Sequence, residues 1–154
     1  MTRLAAPLLL ALVLAGCDGS GADPVGEGVE GRTPTALADA RAAWAAGGVD
    51  AYRVVFVRAC ECSRAVAGPW TVEVRDGRVV AAESAGGATE QAVEPRTVAG
   101  FFDALEEAFA ADVAAVRFRY DPETGLPLSL FVNYVAEMAD EELSVRVVGF
   151  RALD

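Results

Sequence analysis

A chain of 154 residues with 53% hydrophobic side chains has the material for one buried core, which argues for a single domain. Its charges are 13 arginines, no lysine and 23 acids, a formal net charge of −10, so it lacks the basic surface that neutralises nucleic-acid phosphates. It has no histidine, which removes the commonest general base, the commonest metal ligand and every His-assisted nucleophile.

Met1-Thr2-Arg3 is a short basic start, and Leu4 to Leu14 is an apolar run broken only by Pro7. The run is too short for a transmembrane helix, which needs ~20 residues, and it fits the apolar core of a secretory signal peptide. Leu14-Ala15-Gly16-Cys17 resembles the bacterial lipobox, in which a peptidase cuts before a cysteine that carries diacylglycerol. The expected division is a signal peptide over residues 1–16 and a lipidated Cys17 opening a flexible Gly/acidic linker over 17–33. A single folded domain over 34–154 follows. Acyl chains at ~0.8 kcal/mol per buried CH2 would make Cys17 the attachment to a membrane. The expected location is the extracytoplasmic side of a bacterial envelope.

Thr33-Pro34 reads as an N-cap followed by proline at the first helical position. Leu37, Ala40 and Trp44 recur at helical spacing, and Gly47-Gly48 ends the helix. Tyr52 to Cys62 reads as a strand with Tyr52, Val54, Phe56, Arg58, Cys60 and Cys62 on one face. Pro69 opens a second strand. Asp76-Gly77 is a two-residue hairpin signal that pairs Val74 with Val79 and Val72 with Ala81. A loop is expected from Gly86 to Arg96. Thr97 caps a second helix, with Val98, Phe101, Phe102, Leu105 and Phe109 on its apolar face. Val116, Phe118 and Tyr120 alternate with Arg117 and Arg119 in a fourth strand. Asp121 starts a turn through its side chain, with positive φ at Gly125, and two further strands follow at Leu128–Val135 and Leu143–Phe150. The fold class is α+β: an antiparallel sheet of about six strands with two helices packed on it, in the order α-β-β-β-α-β-β-β.

The ordered set Trp44, Tyr52, Cys60-Glu61-Cys62, Val72-Glu73-Val74-Arg75-Asp76-Gly77, Thr97-Val98 with Phe102, Tyr120-Asp121-Pro122, Gly125-Leu126-Pro127 and Asp140-Glu141 resembles a bacterial lipoprotein family, domain of unknown function 6174. Members often carry proline after the second cysteine and an aspartate in the strand after the Gly-x-Pro turn. Ser63 and Asn133 stand there in this chain. The family brings no assigned activity, so the resemblance implies fold and location only.

With Cys17 assigned to lipid, Cys60 and Cys62 remain, an even number in an oxidising compartment. In a flat strand, residues two apart have Cα atoms ~6.6 Å apart, at the upper edge of the disulfide range, so a bridge requires a bend. Three roles are open. One is a structural disulfide. The second is a redox-active dithiol, with Arg58 and Arg64 near and Glu61 between the sulfurs. The third is a soft-metal site such as copper(I), with Met138 as a further ligand. Asp121, Glu123, Asp140, Glu141 and Glu142 lie near turns and form a second candidate cluster, for calcium or glycoside chemistry.

These readings predict an envelope lipoprotein that is not an enzyme and needs no cofactor or metal. It would be a binding or structural module tethered through Cys17, with an envelope protein or ligand as partner and no nucleic acid. A sheet with one exposed apolar face supports that reading, and a sheet covered on both faces counts against it. The alternative is a thiol redox or soft-metal-handling protein using Cys60-Glu61-Cys62.

Overall fold

In the computed structural model of the chain, residues 22–87, 97–137 and 142–154 are described. The apolar leader, Cys17, residues 88–96 of the expected loop, Met138, Asp140 and Glu141 lie outside them. Both threonine caps form as their positions predict. Thr33 Oγ1 accepts from Ala36 N at 3.2 Å, and Thr97 Oγ1 accepts from Gly100 N at 2.9 Å. They open α1 (Pro34–Ala46) and α3 (Val98–Ala110). The strands are β1 (Asp23–Pro24), β2 (Val29–Gly31), β3 (Tyr52–Arg58), β4 (Trp70–Arg75), β5 (Arg78–Ser84), β6 (Ala115–Tyr120), β7 (Pro127–Asn133) and β8 (Glu142–Ala152). A four-residue α2 (Arg64–Ala67) joins β3 to β4.

All pairings are antiparallel, in the order β2-β6-β7-β8-β3-β4-β5, with β1 also on β8. The molecule is therefore α+β, as the element order predicts. β3 lies inside the sheet between β8 and β4, and its alternation sends Tyr52, Val54 and Phe56 to a face that the helices cover. Val72, Val74, Phe118, Leu130, Val132, Val145 and Val147 share that face and are buried. From above, α3 adds Val98, Phe101, Phe102, Leu105 and Ala108, and α1 adds Leu37 and Ala40. This is one core between two layers. Arg41 of α1 ties the helices together, reaching Asp103 at 3.0 Å and Glu106 at 2.7 Å.

Three expectations change in detail. Asp76 and Gly77 take positive φ as the hairpin requires, and Val74 faces Val79, but a bulge places Val72 opposite Ala82 instead of Ala81. Phe109 is half-buried, and Ala108 takes the fully buried place beside Leu105. The third change concerns the linker. Residues 23–24 pair with β8 and 29–31 with β6, so the sheet begins at Asp23 and the flexible segment expected over 17–33 does not extend through its second half. The glycines there serve close approach: a side chain on Gly31 would collide with the Phe118 ring, and one on Gly28 with the Tyr120 carbonyl. Arg119 fastens the same segment, donating from Nε to Glu27 O at 2.7 Å and from Nη2 to Gly28 O at 2.9 Å.

Candidate functional site

β3 stops at Arg58, four residues earlier than its apolar pattern suggests. The chain bends over Cys60–Cys62, which brings their Cα atoms to 5.2 Å and allows a disulfide. In a flat strand the same two residues would be too far apart for comfort, so the end of the strand and the bridge go together. Cys60, Glu61 and Cys62 are exposed, and no aromatic side chain covers them. Arg58 does not face them across open space. It pairs opposite buried Val145, on the helix-covered side of the sheet, and its Nε is buried without a hydrogen-bond partner. Arg64 is exposed in the first turn of α2.

The other face of the sheet has a different character. No described helix packs on it, and its side chains are half-buried or exposed. The strand registers lay them out in rows. One row runs Val57, Arg146, Ser129, Arg119, Glu30 across β3, β8, β7, β6 and β2. The next runs Ala59, Ser144, Phe131, Arg117. Together they line an open groove of about 650 Å³. Such a volume is in the range of small-molecule sites. The Arg117 guanidinium lies over the Phe131 ring, 4.6 Å from its centre.

Charge is divided along this face. Toward β4 the arginines are neutralised: Glu73 receives Arg53 at 3.1 Å and Arg75 at 3.0 Å. Those two hydrogen bonds, Arg53 first, hold the Glu73 carboxyl below its ordinary range. Toward β6–β8, none of Arg117, Arg119 and Arg146 has a carboxylate partner among the described residues. Arg119 is bound by backbone carbonyls, Arg117 lies on a ring, and Glu30 gives its carboxylate to Arg32 at 2.9 Å. A chain of formal charge −10 thus gathers three uncompensated cations in one concavity. The sequence shows no run of arginines. The available signal is that Arg117, Arg119 and Arg146 each alternate with core residues, on strands that become near neighbours only through the order β6-β7-β8.

The three carboxylate candidates among the described residues, Asp121, Glu123 and Glu142, do not come together. Asp121 and Glu123 occupy the β6–β7 turn, while Glu142 starts β8 opposite Asn133, at the far end of β7. Asp121 is a turn residue, as its position predicts: its Oδ1 accepts from Thr124 N at 2.9 Å and Glu123 N at 2.8 Å. Those backbone donors, Thr124 first, pull its carboxyl below its ordinary 3.8. Gly125 has φ of +74° and lies against α1, where any side chain would meet the Ala40 carbonyl. Asn133 donates to Glu142 Oε1 at 3.4 Å. The described residues hold no group of three or more Cys, Asp or Glu arranged to bind a metal.

Tyr52 and Trp44, both part of the recognised pattern, are structural. Buried Tyr52 accepts from Val98 N at 2.9 Å, joining β3 to the start of α3, and burial pushes its phenol above the ordinary 10.0. Trp44 packs edge-on against Tyr52 and Phe150.

The fold and site define a class: an antiparallel α+β sheet, clipped by a short-range disulfide, with a cationic groove on the face that no described helix covers. The chain belongs to the family of unknown function DUF6174, whose model matches residues 36–152. No match was found among curated proteins or among solved structures.

Proposed function

We propose that this protein is an envelope lipoprotein, anchored by lipid on Cys17, whose folded part is a non-enzymatic binding module presenting the open face of its sheet. The observation that carries the reading is the one-sided cover. Helices bury one face, while Val57, Phe131, Ser129, Ser144 and three arginines are left half-buried or exposed on the other. Such a face is built for a partner or ligand. Its chemistry is mixed, with cations and hydroxyls among the apolar groups, where a purely apolar patch is the simpler expectation. Asp23 lies six positions after Cys17, so an anchor there holds β1 within about 20 Å of the lipid attachment. No helix among the described residues is long and apolar enough to cross a membrane.

The test is hydroxyl-radical footprinting of the chain in native envelopes and after purification. Phe131 and Val57 should be protected in the envelope and become reactive once the chain is purified, while exposed Val80 on β5 reacts equally in both. Equal reactivity of Phe131 in the two states would remove the binding reading.

A second reading has one observation in its favour. Cys60 and Cys62 are exposed, as a thiol redox or soft-metal protein using Cys60-Glu61-Cys62 requires. Titrating the disulfide in graded thiol buffers separates the two readings: a structural clip opens only under strongly reducing conditions.

A further inference from the structure

The row geometry of the groove specifies more than a place for a partner. Arg146 and Arg119 flank Ser129 in one row, one strand away on either side. At about 4.8 Å between strands, their Cα atoms are ~10 Å apart, and the Arg119 side chain gives its Nε and Nη2 donors to the Glu27 and Gly28 carbonyls. Arg117 stands two residues along β6 from Arg119, ~6.6 Å away, with its ring partner Phe131 beside Ser144. The Arg117 guanidinium lies over the Phe131 ring and has no carboxylate partner among the described residues, and a guanidinium can take a bidentate acceptor. Beyond these three arginines the wall carries Val57, Ala59 and Phe131, with Ser144 and Arg58 beside them.

We infer that this groove binds a small soluble organic anion, a phosphate or carboxylate attached to an apolar or aromatic body. The anionic group lies over Ser129, with Arg146 and Arg117 as its ligands and Arg119, tied to the Glu27 and Gly28 carbonyls, adding charge at the edge. The apolar body runs along Phe131 toward Val57 and Ala59. Charge complementarity selects this occupant. Three cations without carboxylate partners make the local field of the groove attractive to an anion, although the net charge of −10 opposes its approach from a distance. Glu30 on the rim, with Glu27 just beyond it, sets a limit on the other side: a long polyanion extending past β6 meets like charge. The concave shape of the groove likewise suits a small molecule better than the flat surface of a bilayer. This inference rests on the binding-module reading and narrows it.

The experiment uses the full chain, reconstituted in phosphatidylcholine nanodiscs, titrated by calorimetry with phenyl phosphate, benzoate and uncharged phenol. Both anions should bind saturably and more weakly as salt is raised, and phenol should not. Arg146→Gln and Arg117→Gln should each weaken binding roughly tenfold or more, the usual result of losing a hydrogen bond to a charged group. Arg78→Gln at the start of the distant β5 should leave it unchanged. All three arginines replaced are exposed, so thermal unfolding should be unaltered and folding does not confound the comparison. Three results would overturn the inference. They are no saturable binding of either anion at millimolar concentration, equal binding of phenol, and affinity indifferent to Arg117 and Arg146. Transfer to phosphatidylglycerol nanodiscs should leave phenyl phosphate affinity intact. Its loss would assign the groove to lipid headgroups and overturn a soluble ligand. If the anions fail to bind while Phe131 remains protected in native envelopes, the binding-module reading survives without this ligand class.

Discussion

Tyr52 joins three parts of the molecule through one hydroxyl and one ring: β3, the first turn of α3, and the Trp44–Phe150 aromatic cluster. Replacing Tyr52 with Phe keeps the ring but leaves the buried Val98 N–H without an acceptor. That should destabilise the fold by about 1–2 kcal/mol in chemical denaturation, with little change in the dependence on denaturant. Asp121 makes a prediction of a different kind. Its carboxyl is lowered in the folded state by the Thr124 and Glu123 amides, so its contribution to stability is complete above the unfolded carboxylate range. It is lost as pH falls through the lower, folded value. Asp121→Asn should therefore lower stability near pH 7, and the difference from the parent should shrink as pH drops below about 4. A difference that is constant with pH would show that the turn does not use the charge. The roles of both residues were partly legible from sequence, because Asx turns and strand alternation are local. The Tyr52–Val98 hydrogen bond, spanning 46 residues, was not.

At the scale of the element, sequence and structure agree where periodicity is strong. The phenylalanine stripe of α3, its threonine cap and the Asp76-Gly77 hairpin are each fixed by local chemistry, and each forms. They part at the N-terminal segment. Glycine and acidic residues over 18–33 have the composition of a coil, yet glycine also permits the closest approach of two backbones. The 22–31 segment uses it in that second way against β6 and β8. Two glycines separate the interpretations. Gly31→Val forces a side chain into the Phe118 ring and should cost about 1–3 kcal/mol in thermal or chemical unfolding. Gly26→Ala, where a side chain meets open space, should be neutral within about 0.5 kcal/mol or slightly stabilising. Equal, negligible effects at both positions would mean that the segment is a linker after all. The strand–bend transition at Arg58 was visible in sequence only as a geometric requirement of the Cys60–Cys62 bridge. The apolar alternation itself runs on toward Cys62 and does not mark the stop.

At the scale of the whole molecule, the features with most bearing on function come from topology. The arginines of β6 and β8 become a cluster only because β7 lies between those strands, and among the described residues one face of the sheet has no helix because α1 and α3 pack on the same side. Neither fact is contained in any window of sequence. The disulfide closes so small a loop that the chain-entropy model assigns it only about 1.5 kcal/mol. A Cys60→Ser/Cys62→Ser chain should therefore remain folded, with its melting temperature lowered by a few degrees. Unfolding of that variant at room temperature would mean that the bridge organises far more of the fold than its span suggests. The proposed location, anchoring and binding form a single account: a lipid proposed on Cys17, a segment that docks onto the sheet from Asp23, and a face without a described helix proposed to carry the ligand chemistry.

The measurement that tests this account most directly is the intact mass of the chain extracted from bacterial membranes and alkylated without reductant. The account predicts a polypeptide that begins at Cys17, carries a diacylglyceryl modification there, and takes up no alkylating agent because Cys60 and Cys62 are bridged. A chain that begins elsewhere without lipid would contradict the anchored module. Two alkylated thiols on an otherwise lipidated chain would contradict the structural clip and move the functional site to Cys60-Glu61-Cys62.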